Sequence, residues 1–554
     1  MGTDFPMWME DGVTLQNIVK LSLRGSVMCV KLPPVWQLPF LEVLRLKRME
    51  RLKYLCYRYP TDEEYGNQLV VFQKLKLLSL EWMESLENWH EYDTQQVTSV
   101  TFPKLDAMEI IDCPKLTQLP NVPILKSLSL TGNKVLLGLV SGISNLSYLY
   151  LCANQGSSRR VRTLYYIYKG EREGNTDTKE HILPDHLLSW GSLTKLHLQG
   201  FNTPAPENVK SRSGHMMSVQ DLVLSSCDCF IQHEGLQSPL WFWKSFGCLQ
   251  QLEIRYCDSL TVWPEEEFRS LTSLEKLFIV DCKNFTGVPP DRLSARPSTD
   301  EGPCNLEYLQ INRCPNLVVF PTNFSCLRIL VITDSNVLEG LPGGLGCQST
   351  LTTLVILGCP SFSSLPASIR CLSNLKSLEL ASNNSLTSLP EGMQNLTALK
   401  TLHFIECPGI TALPEGLQQR LHGLQIFTVE DCPALARRCR RGGDYWEKVK
   451  DIPDLRVTSE PHPVWQDAAR TIIPKCLNAW QRRASTKALV RDSPSYGGGS
   501  NSLAIWRPGV LKTYHESFAG DLELVPCKPE VVRGLRYDSL LLAGHDRIAT
   551  MMCV

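Results

Sequence analysis

The most constraining feature of this sequence is an apolar pair that returns every 24 residues between Leu351 and Leu413. The three pairs are Leu354/Ile356, Leu378/Leu380 and Leu402/Phe404. A Cys or Asn follows each pair by three residues, and a Leu-Pro dipeptide closes each unit. A unit of this size cannot bury its own apolar face, so the fixed period predicts that successive units stack on one another.

The spacing inside each unit is typical of a leucine-rich repeat. Side chains alternate across a strand, so the two apolar residues of each pair point inward from one short strand. The Cys or Asn then turns the chain out of the strand, where a small side chain fits inside the coil. The sequence therefore predicts an α/β fold: a leucine-rich-repeat solenoid, shaped as a curved horseshoe. Its parallel β-sheet lines the concave face, and irregular or short helical segments form the convex face.

The apolar pair can be followed through most of the chain, which gives about sixteen repeats. The remaining pairs are Leu21/Leu23, Leu44/Leu46, Leu78/Leu80, Met108/Ile110, Leu128/Leu130, Leu149/Leu151, Leu196/Leu198, Leu222/Leu224, Leu252/Ile254, Leu277/Ile279, Leu309/Ile311, Leu330/Ile332 and Phe427/Val429. We expect a solenoid over residues 1–436, a basic C-terminal cap over residues 437–457, and a partly disordered tail without repeats over residues 458–554.

Composition and charge narrow the class of protein. Hydrophobic residues make up 43% of the 554-residue chain and charged residues 20%, as in folded globular proteins. The formal net charge of -1 gives no general attraction to nucleic acid or membranes. No run of about 18 apolar residues is present to span a bilayer, and the first residues lack the basic and apolar regions of a signal peptide. We expect a cytoplasmic location, with the plasma-membrane surface and the nucleus as alternatives.

The cysteines follow the repeat. Eight of the 21 occupy the turn position: Cys113, Cys227, Cys257, Cys282, Cys314, Cys359, Cys407 and Cys432. A repeated inward thiol is interpreted as a small buried apolar group, and a chain without a signal peptide is expected in a reducing compartment. Zinc binding is the alternative, but the chain has no pair of C-x-x-C motifs at a ligand spacing.

The longest insertion between repeats covers residues 157–181 and interleaves basic residues with tyrosines. Such a pattern can bind nucleic acid or an acidic partner. A solvated surface loop is the interpretation we favour, so no nucleic-acid partner is expected.

Motifs of catalysis are missing from the sequence. Neither H-E-x-x-H nor G-x-S-x-G occurs, and carboxylates recur directly before the turn cysteine as the repeat period requires. We expect no catalytic residue, cofactor or metal. Five N-x-[ST] sequons keep an extracellular repeat receptor as an alternative: Asn145, Asn284, Asn323, Asn383 and Asn395.

Four segments carry a family resemblance: FPMWM at residues 5–9 with NIVKLSL at 17–23, KLPPVWQLPFLEVLRLKRME at 31–50, a recurring C-P-x-L at Cys113 and Cys314, and CPALARRCRRGGDYWEKVKDIPDL at 432–455. Over residues 1–457 the chain resembles the leucine-rich-repeat region of plant intracellular disease-resistance proteins of the coiled-coil, nucleotide-binding class. The chain departs from that family because it contains no nucleotide-binding domain. Residues 343–350 are glycine-rich but lack the P-loop lysine, so we expect no nucleotide binding and read the chain as a fragment, a truncated receptor or a stand-alone repeat protein.

The resemblance implies a non-catalytic protein-interaction module of plant innate immunity. Its partners would be a pathogen effector, a guarded host protein, or a nucleotide-binding switch domain in cis or in trans. In the family, basic early repeats are thought to hold that switch domain inactive. An adaptor of a ubiquitin ligase is a further alternative.

Exposed aromatic and charged residues on the concave strands are the predicted partner-binding residues, because such types are enriched in binding hot spots. They are Arg45, Lys47, Arg48, Trp82, Tyr148, Tyr150, His197, Arg255, Tyr256, Phe278, Tyr308, Arg313, His403, Glu406, Glu430 and Asp431.

Overall fold

The computed structural model describes residues 16–25, 28–57, 68–91, 99–133, 143, 145–152, 192–201, 218–231, 240–288, 305–321, 324–347, 350–458 and 548–552. Within these residues the dominant element is one 18-stranded sheet, accompanied by two sheets of two strands each. All strand pairs in the three sheets are parallel, as a stack of identical repeat units requires.

The strands are numbered in chain order. The large sheet contains β1 (Lys20–Arg24), β2 (Val43–Lys47), β5 (Leu77–Glu81), β8 (Ala107–Ile111), β9 (Ser127–Thr131), β10 (Tyr148–Cys152), β11 (Lys195–Gln199), β12 (Asp221–Ser225), β13 (Gln251–Arg255), β14 (Lys276–Val280), β15 (Tyr308–Asn312), β16 (Ile329–Thr333), β17 (Thr353–Leu357), β18 (Ser377–Ala381), β19 (Thr401–Ile405), β20 (Ile426–Glu430), β21 (Asp454–Thr458) and β22 (Ile548–Met552). The small sheets pair β3 (Tyr54–Cys56) with β6 (Asn88–His90), and β4 (Gln68–Val70) with β7 (Ser99–Thr101).

Each strand of the large sheet from β1 to β21 pairs with the strand of the next repeat. All sixteen predicted apolar pairs lie in these strands, and none of their side chains is more than 2% exposed. Paired strands keep the apolar positions in register, as Leu354 opposite Leu378 shows. The predicted solenoid with a parallel sheet is therefore confirmed.

In several coils the segment between successive strands of the large sheet contains a short turn of helix. The α-helices are α1 (Leu240–Lys244), α2 (Glu265–Arg269), α3 (Glu415–Gln418), α4 (Pro433–Cys439) and α5 (Trp446–Val449). Turns of 3₁₀-helix occur at Val35–Gln37, Asp228–Phe230, Gly343–Cys347, Ala367–Cys371, Glu391–Asn395 and Leu421–Gly423. Among the described residues every helix is too short or too polar to cross a membrane.

The turn cysteines form a regular row inside the solenoid. All eight are fully buried. Each Sγ lies 3.3 to 3.6 Å from the backbone oxygen two residues earlier, where a thiol donates a weak hydrogen bond. Burial raises the pKa of these thiols above the ordinary value, for example that of Cys407 to about 11. Such thiols are unreactive packing groups.

Asparagine replaces cysteine at two turns and makes stronger hydrogen bonds there. Asn383 donates from Nδ2 to the oxygen of Ile356 at 2.9 Å, and its Oδ1 accepts from the amide of Cys359 at 3.1 Å. Asn133 donates to the oxygen of Cys113 at 2.6 Å. Asn383 is fully buried, so this sequon is closed to a glycan in the folded chain.

The C-terminal end of the solenoid holds α4 and α5, followed by β21, which extends the sheet by pairing with β20. The chain divides into two compact units, one of residues 1–461 with 547–554 and one of residues 462–546. Four parts of the chain lie outside the described residues. They are the second unit, the insertion at 157–181, the FPMWM segment at residues 5–9 and most of the predicted tail.

The buried asparagine gives a test of the core. Replacing Asn383 with Ala leaves a buried carbonyl and a buried amide without their partners, which costs about 1–3 kcal/mol per group. We expect the free energy of unfolding in urea to fall by at least about 2 kcal/mol. The control is Asn316→Ala, an exposed asparagine with one bond to a backbone oxygen. Equal losses for the two variants would contradict the proposed role of the buried amide.

Candidate interaction surface

One backbone conformation repeats at the end of the strands and generates a ridge along the concave face. The residue directly after a strand adopts a left-handed conformation at eleven non-glycine positions in the described part of the chain, with φ between 47° and 56°. We call these residues the strand-end ladder: Arg48, Trp82, Asp112, Ser226, Tyr256, Asp281, Arg313, Asp334, Ser382, Glu406 and Asp431. Glycine takes the same place after other strands, at Gly25, Gly132, Gly200 and Gly358.

The backbone explains why the ladder is so regular. Ten of the eleven ladder amides donate to the last carbonyl of the next strand, as Trp82 does to Ile111 at 2.8 Å and Arg313 to Thr333 at 2.9 Å. The left-handed residue ends the strand and directs the chain inward to the buried turn position. Successive rungs lie close together: a Cβ at Gly132 would stand 2.2 Å from Oδ1 of Asp112 on the preceding rung.

The ladder contains residue types that rarely adopt this conformation. A left-handed conformation costs roughly 1–2 kcal/mol for a residue with a Cβ. Glycine, aspartate and asparagine adopt it most readily, whereas bulky side chains are unusual there. Arg48, Trp82, Tyr256, Arg313 and Glu406 are bulky, and all five belong to the predicted partner-binding set. Strained residues of this kind concentrate at functional sites.

At the N-terminal end, the ring of the ladder residue Trp82 contacts two cations. The Lys47 ammonium is 4.2 Å from its ring centroid and the Arg48 guanidinium 5.1 Å. The indole nitrogen donates to Asp112 at 3.2 Å. These cation–π contacts and this hydrogen bond hold the half-buried indole in one orientation.

The burial of Lys47 corrects a prediction made from the sequence. Lys47 was expected as an exposed cation, but it is only 8% exposed and pairs with Glu81 at 2.5 Å. The cause is register, because Lys47 on β2 lies directly opposite Glu81 on β5. The accessible positive charge at this end therefore comes from Arg24, Arg45 and Arg48.

The middle of the ladder is a charged cluster. Arg313 binds Asp281 through two parallel hydrogen bonds, the first from Nε at 2.6 Å. Burial raises the pKa of Asp334, partly opposed by the charge of Arg313. Burial and the carboxylate of Asp281 raise the pKa of the neighbouring Tyr256. An open depression beside Arg313 is lined by Asp281, Lys283, Arg313, Pro315, Asp334, Asn336 and Gly358.

The concave strands β10 and β11 carry an aromatic group. Tyr150 packs edge-on against His197 with ring centroids 4.6 Å apart, and its hydroxyl donates to Gln199 at 2.6 Å. Burial and the charge of Arg255 lower the pKa of His197 to about 3. Tyr148 lies half-buried next to this group on β10. The histidine is therefore neutral at physiological pH.

Arg255 and Phe278 lie on β13 and β14. Arg255 pairs with Glu253 of its own strand at 2.6 Å and is half-exposed. Phe278 packs against Tyr308 with ring centroids 5.1 Å apart. Tyr308 was predicted to be exposed and is instead fully buried, because its ring packs on Phe278 and its hydroxyl bonds to Gln310 at 2.8 Å.

The C-terminal end of the surface is acidic. Glu406 accepts a hydrogen bond from the hydroxyl of Ser382 at 2.6 Å, and Asp431 is half-buried on the next rung. Burial and the charge of Arg456 lower the pKa of His403 to about 4. Glu430, predicted as exposed, is only 8% exposed, with Ile405 of β19 and Thr458 of β21 as its neighbours in register.

The predicted partner-binding set did not include Asp112, Asp281 and Asp334, which the sequence analysis explained by the repeat period alone. In the structure these three orient the predicted binding residues Trp82 and Arg313 or stand beside them. The available signal was their position directly before the turn residue, which places them on the same ladder. Within the described ranges no group of His, Cys, Asp and Glu is arranged to hold a metal ion.

Known proteins share this repeat pattern. The family described as R13L1/DRL21 LRRs matches residues 1–49. The putative disease resistance protein RGA4 of Solanum bulbocastanum is 31% identical over 151 residues, which are 27% of this chain and 14% of that protein. The putative disease resistance RPP13-like protein 1 of Arabidopsis thaliana is 32% identical over 119 residues, 21% of this chain and 11% of that protein. The chain is a leucine-rich-repeat protein similar to plant disease resistance proteins.

The resemblance to plant disease-resistance proteins, which the sequence analysis inferred from four segments, is thus confirmed. The matches span 14% and 11% of the length of these two relatives. Among solved structures, the leucine-rich-repeat protein LIC12759 of Leptospira interrogans is 20% identical with a TM-score of 0.39, covering 65% of this chain and 92% of that one.

The left-handed ladder predicts an unusual response to glycine. In Tyr256→Gly, relief of about 1–2 kcal/mol of left-handed strain offsets the lost ring contacts and the entropy cost of glycine. We expect the free energy of unfolding in urea to stay within about 1 kcal/mol of the wild type. The control is Gln251→Gly on the same repeat, where an extended strand residue gains no such relief. A larger loss for Tyr256→Gly than for the control would contradict the strain account.

The loss of stability at acid pH tests the burial of His197. The folded-state pKa of His197 lies below its unfolded value of about 6.5, so the unfolded chain binds the proton first as pH falls. Between about pH 6.5 and pH 4 the wild type should lose stability relative to His197→Gln. Urea unfolding at pH 7 and pH 5 measures this difference. The exposed His422→Gln serves as the control, and identical behaviour of the two variants would refute the prediction.

Proposed function

We propose that this chain recognises proteins in plant defence, and that the strand-end ladder with the adjoining concave strands is the binding surface. The observation that carries the proposal is the set of bulky residues in strained left-handed positions. Packing does not require them, because glycine fills the same position after other strands. Their aromatic and guanidinium groups are the types that dominate binding hot spots.

The partner in this proposal is a pathogen effector or a host protein. The ladder offers it three kinds of contact along one ridge: the indole of Trp82 beside Lys47 and Arg48, the Arg313–Asp281 cluster, and the acidic rungs Glu406 and Asp431. A surface with a basic end and an acidic end orients a partner of complementary charge. A cytoplasmic location belongs to the same proposal and is supported by the relatives and the row of free, buried cysteines.

Ladder variants test this surface. Trp82→Gly, Tyr256→Gly and Arg313→Gly combined should keep the fold, because glycine is the preferred residue in this conformation. Plant proteins that bind the wild-type chain should be lost from the ladder variant and retained by Arg370→Glu, which lies on an exposed 3₁₀-turn away from the ladder. Retention of every partner by the folded ladder variant would exclude the ladder as the binding surface.

The proposal has a regulatory part, in which the basic N-terminal end binds a nucleotide-binding switch domain. Ligand binding elsewhere on the surface would shift the population of that domain only through different affinities for its two states. The accessible Arg45 and Arg48 support this part. Lys47 does not, since its charge is compensated by Glu81.

Charge reversal tests the basic end. Arg45→Glu with Arg48→Glu should weaken binding to the nucleotide-binding domain of a plant disease resistance protein, supplied in trans, by at least tenfold at 0.15 M salt. Surface charge pairs are screened by salt, so the difference should shrink as salt rises. Biolayer interferometry gives the affinities, with Arg370→Glu as a charge-reversal control away from this end. Equal affinities for all three proteins would eliminate the regulatory part and leave the ladder proposal intact.

A further inference from the structure

A second row of side chains follows the large sheet at the beginnings of the strands, whereas the strand-end ladder follows their ends. We call it the pre-strand row: the residues directly before β2, β5 and β8 to β20, from Glu42 to Gln425. The amide of each row residue donates to the backbone oxygen of the corresponding residue in the preceding coil, as Lys400 does to Lys376 at 2.9 Å. Neighbouring row residues therefore stand about one strand spacing apart, roughly 4.8 Å, which is close enough for their side chains to interact.

Most charged residues of the pre-strand row are compensated by a neighbour of opposite sign. Three ion pairs join residues of successive coils: Glu42–Lys76 at 2.9 Å, Asp106–Lys126 at 3.4 Å and Glu307–Arg328 at 3.3 Å. Opposite charges that face each other across neighbouring strands stabilise a sheet, and like charges destabilise it. Alternation of sign is thus the rule where this row carries paired charges.

The alternation of charge breaks down before β18 and β19. Lys376 and Lys400 are row residues of neighbouring coils, and the row residues on either side of them, Thr352 and Gln425, are uncharged. Both lysines are exposed, and neither has an ion-pair partner in the described part of the chain. This stretch of the row therefore holds two adjacent positive charges that the described residues leave uncompensated.

A cavity of about 140 Å³ lies beside Lys400, lined by the segments that lead into β19 and β20. Buried leucines such as Leu399 and Leu424 form part of its wall. Its polar side chains are those of Thr397, Lys400 and Arg420. Arg420 donates from Nη2 to the backbone oxygen of Thr397 at 3.1 Å, and within the described ranges it too lacks a carboxylate partner. The cavity thus joins two uncompensated cations to one hydroxyl group.

The chemistry of the lining favours a small oxyanion with two negative charges. The guanidinium of Arg420 presents several N–H donors in one plane, which suits two oxygens of a phosphate group. The ammonium of Lys400 and the hydroxyl of Thr397 are donors for a further oxygen. A carboxylate has one charge and two oxygens, so it would leave one of the two cations uncompensated. A cavity of about 150 Å³ holds a benzene molecule, so this one has room for a phosphate with a small organic group.

We propose that this cavity binds the phosphate group of a small molecule, held by Lys400 and Arg420 with the hydroxyl of Thr397. The dianion cancels the charge that the pre-strand row leaves open at this place. The site lies at the opposite ends of the strands from the strand-end ladder, so it does not depend on the protein recognition proposed there. Because phosphate binds the folded chain, it also stabilises the chain against unfolding.

Isothermal titration calorimetry of the full chain at constant ionic strength tests the site, with inorganic phosphate and glycerol 3-phosphate as ligands. Both should bind the wild type at one site per chain, and Lys400→Gln and Arg420→Gln should each weaken binding at least tenfold. Lys400 is exposed, so its variant keeps the fold even where Arg420→Gln does not. Lys126→Gln is the matched control, since Lys126 is a row lysine already paired with Asp106, and it should bind as the wild type does.

Two further ligands separate the sources of the anion. Acetate should bind at least tenfold more weakly than phosphate, because it carries one charge. Phosphatidylcholine vesicles that contain phosphatidic acid should not bind the wild type more tightly than Lys400→Gln. Binding to these vesicles without binding of either soluble phosphate overturns the proposal, since the ligand would then be a membrane surface. Equal affinity for acetate and phosphate, or an equal loss in Lys126→Gln, also overturns it.

Lysine acetylation followed by mass spectrometry locates the bound phosphate. Saturating glycerol 3-phosphate should slow the acetylation of Lys400 at least threefold and leave the acetylation of Lys126 unchanged. Arg420→Gln should remove this protection, because the phosphate is then held on one side only. Absence of protection at Lys400, or the same protection at Lys126, overturns the proposal.

Discussion

The structure depends on the in-register stacking of inward-facing apolar pairs from one repeat to the next. Leu354 lies opposite Leu378, and Leu378 opposite Leu402, so each coil completes the core of its neighbours. No repeat buries its apolar side chains alone, and the sheet persists only as a continuous array. The buried row of cysteines and asparagines depends on the same register, since Asn383 bridges to Ile356 and Cys359 of the preceding coil.

The register of the stacked repeats also creates the strand-end ladder. Every strand must end at the same depth so that the next residues can turn inward, and one left-handed residue per repeat achieves this turn. The side chains of these residues consequently line up as a ridge. Evolution can place glycine there at little conformational cost or place a bulky residue under strain. The presence of Trp82, Tyr256 and Arg313 at such positions links the geometry of the fold to recognition.

The sheet ends show how a solenoid handles exposed strands. β21 is blunted by the Arg456–Asp454 pair and by the neighbouring helix α4. β1 is paired with β22, which comes from beyond the last repeat. The two ends therefore differ: β21 carries an exposed arginine paired with Asp454, whereas the backbone of β1 is paired on both sides.

The sequence by itself determined the repeat, the sixteen inward pairs and the buried thiols, because each of these follows from a period that is visible in the order of residues. It also pointed to five of the bulky ladder residues, since they sit at a constant offset from the apolar pair. Only the tertiary structure decided which of the predicted surface residues are accessible. Lys47 is compensated by Glu81, Tyr308 is covered by Phe278 and Gln310, and β22 reaches β1. These outcomes depend on contacts between strands far apart in the chain, and the period of a single repeat contains no information about which side chains meet across its neighbours.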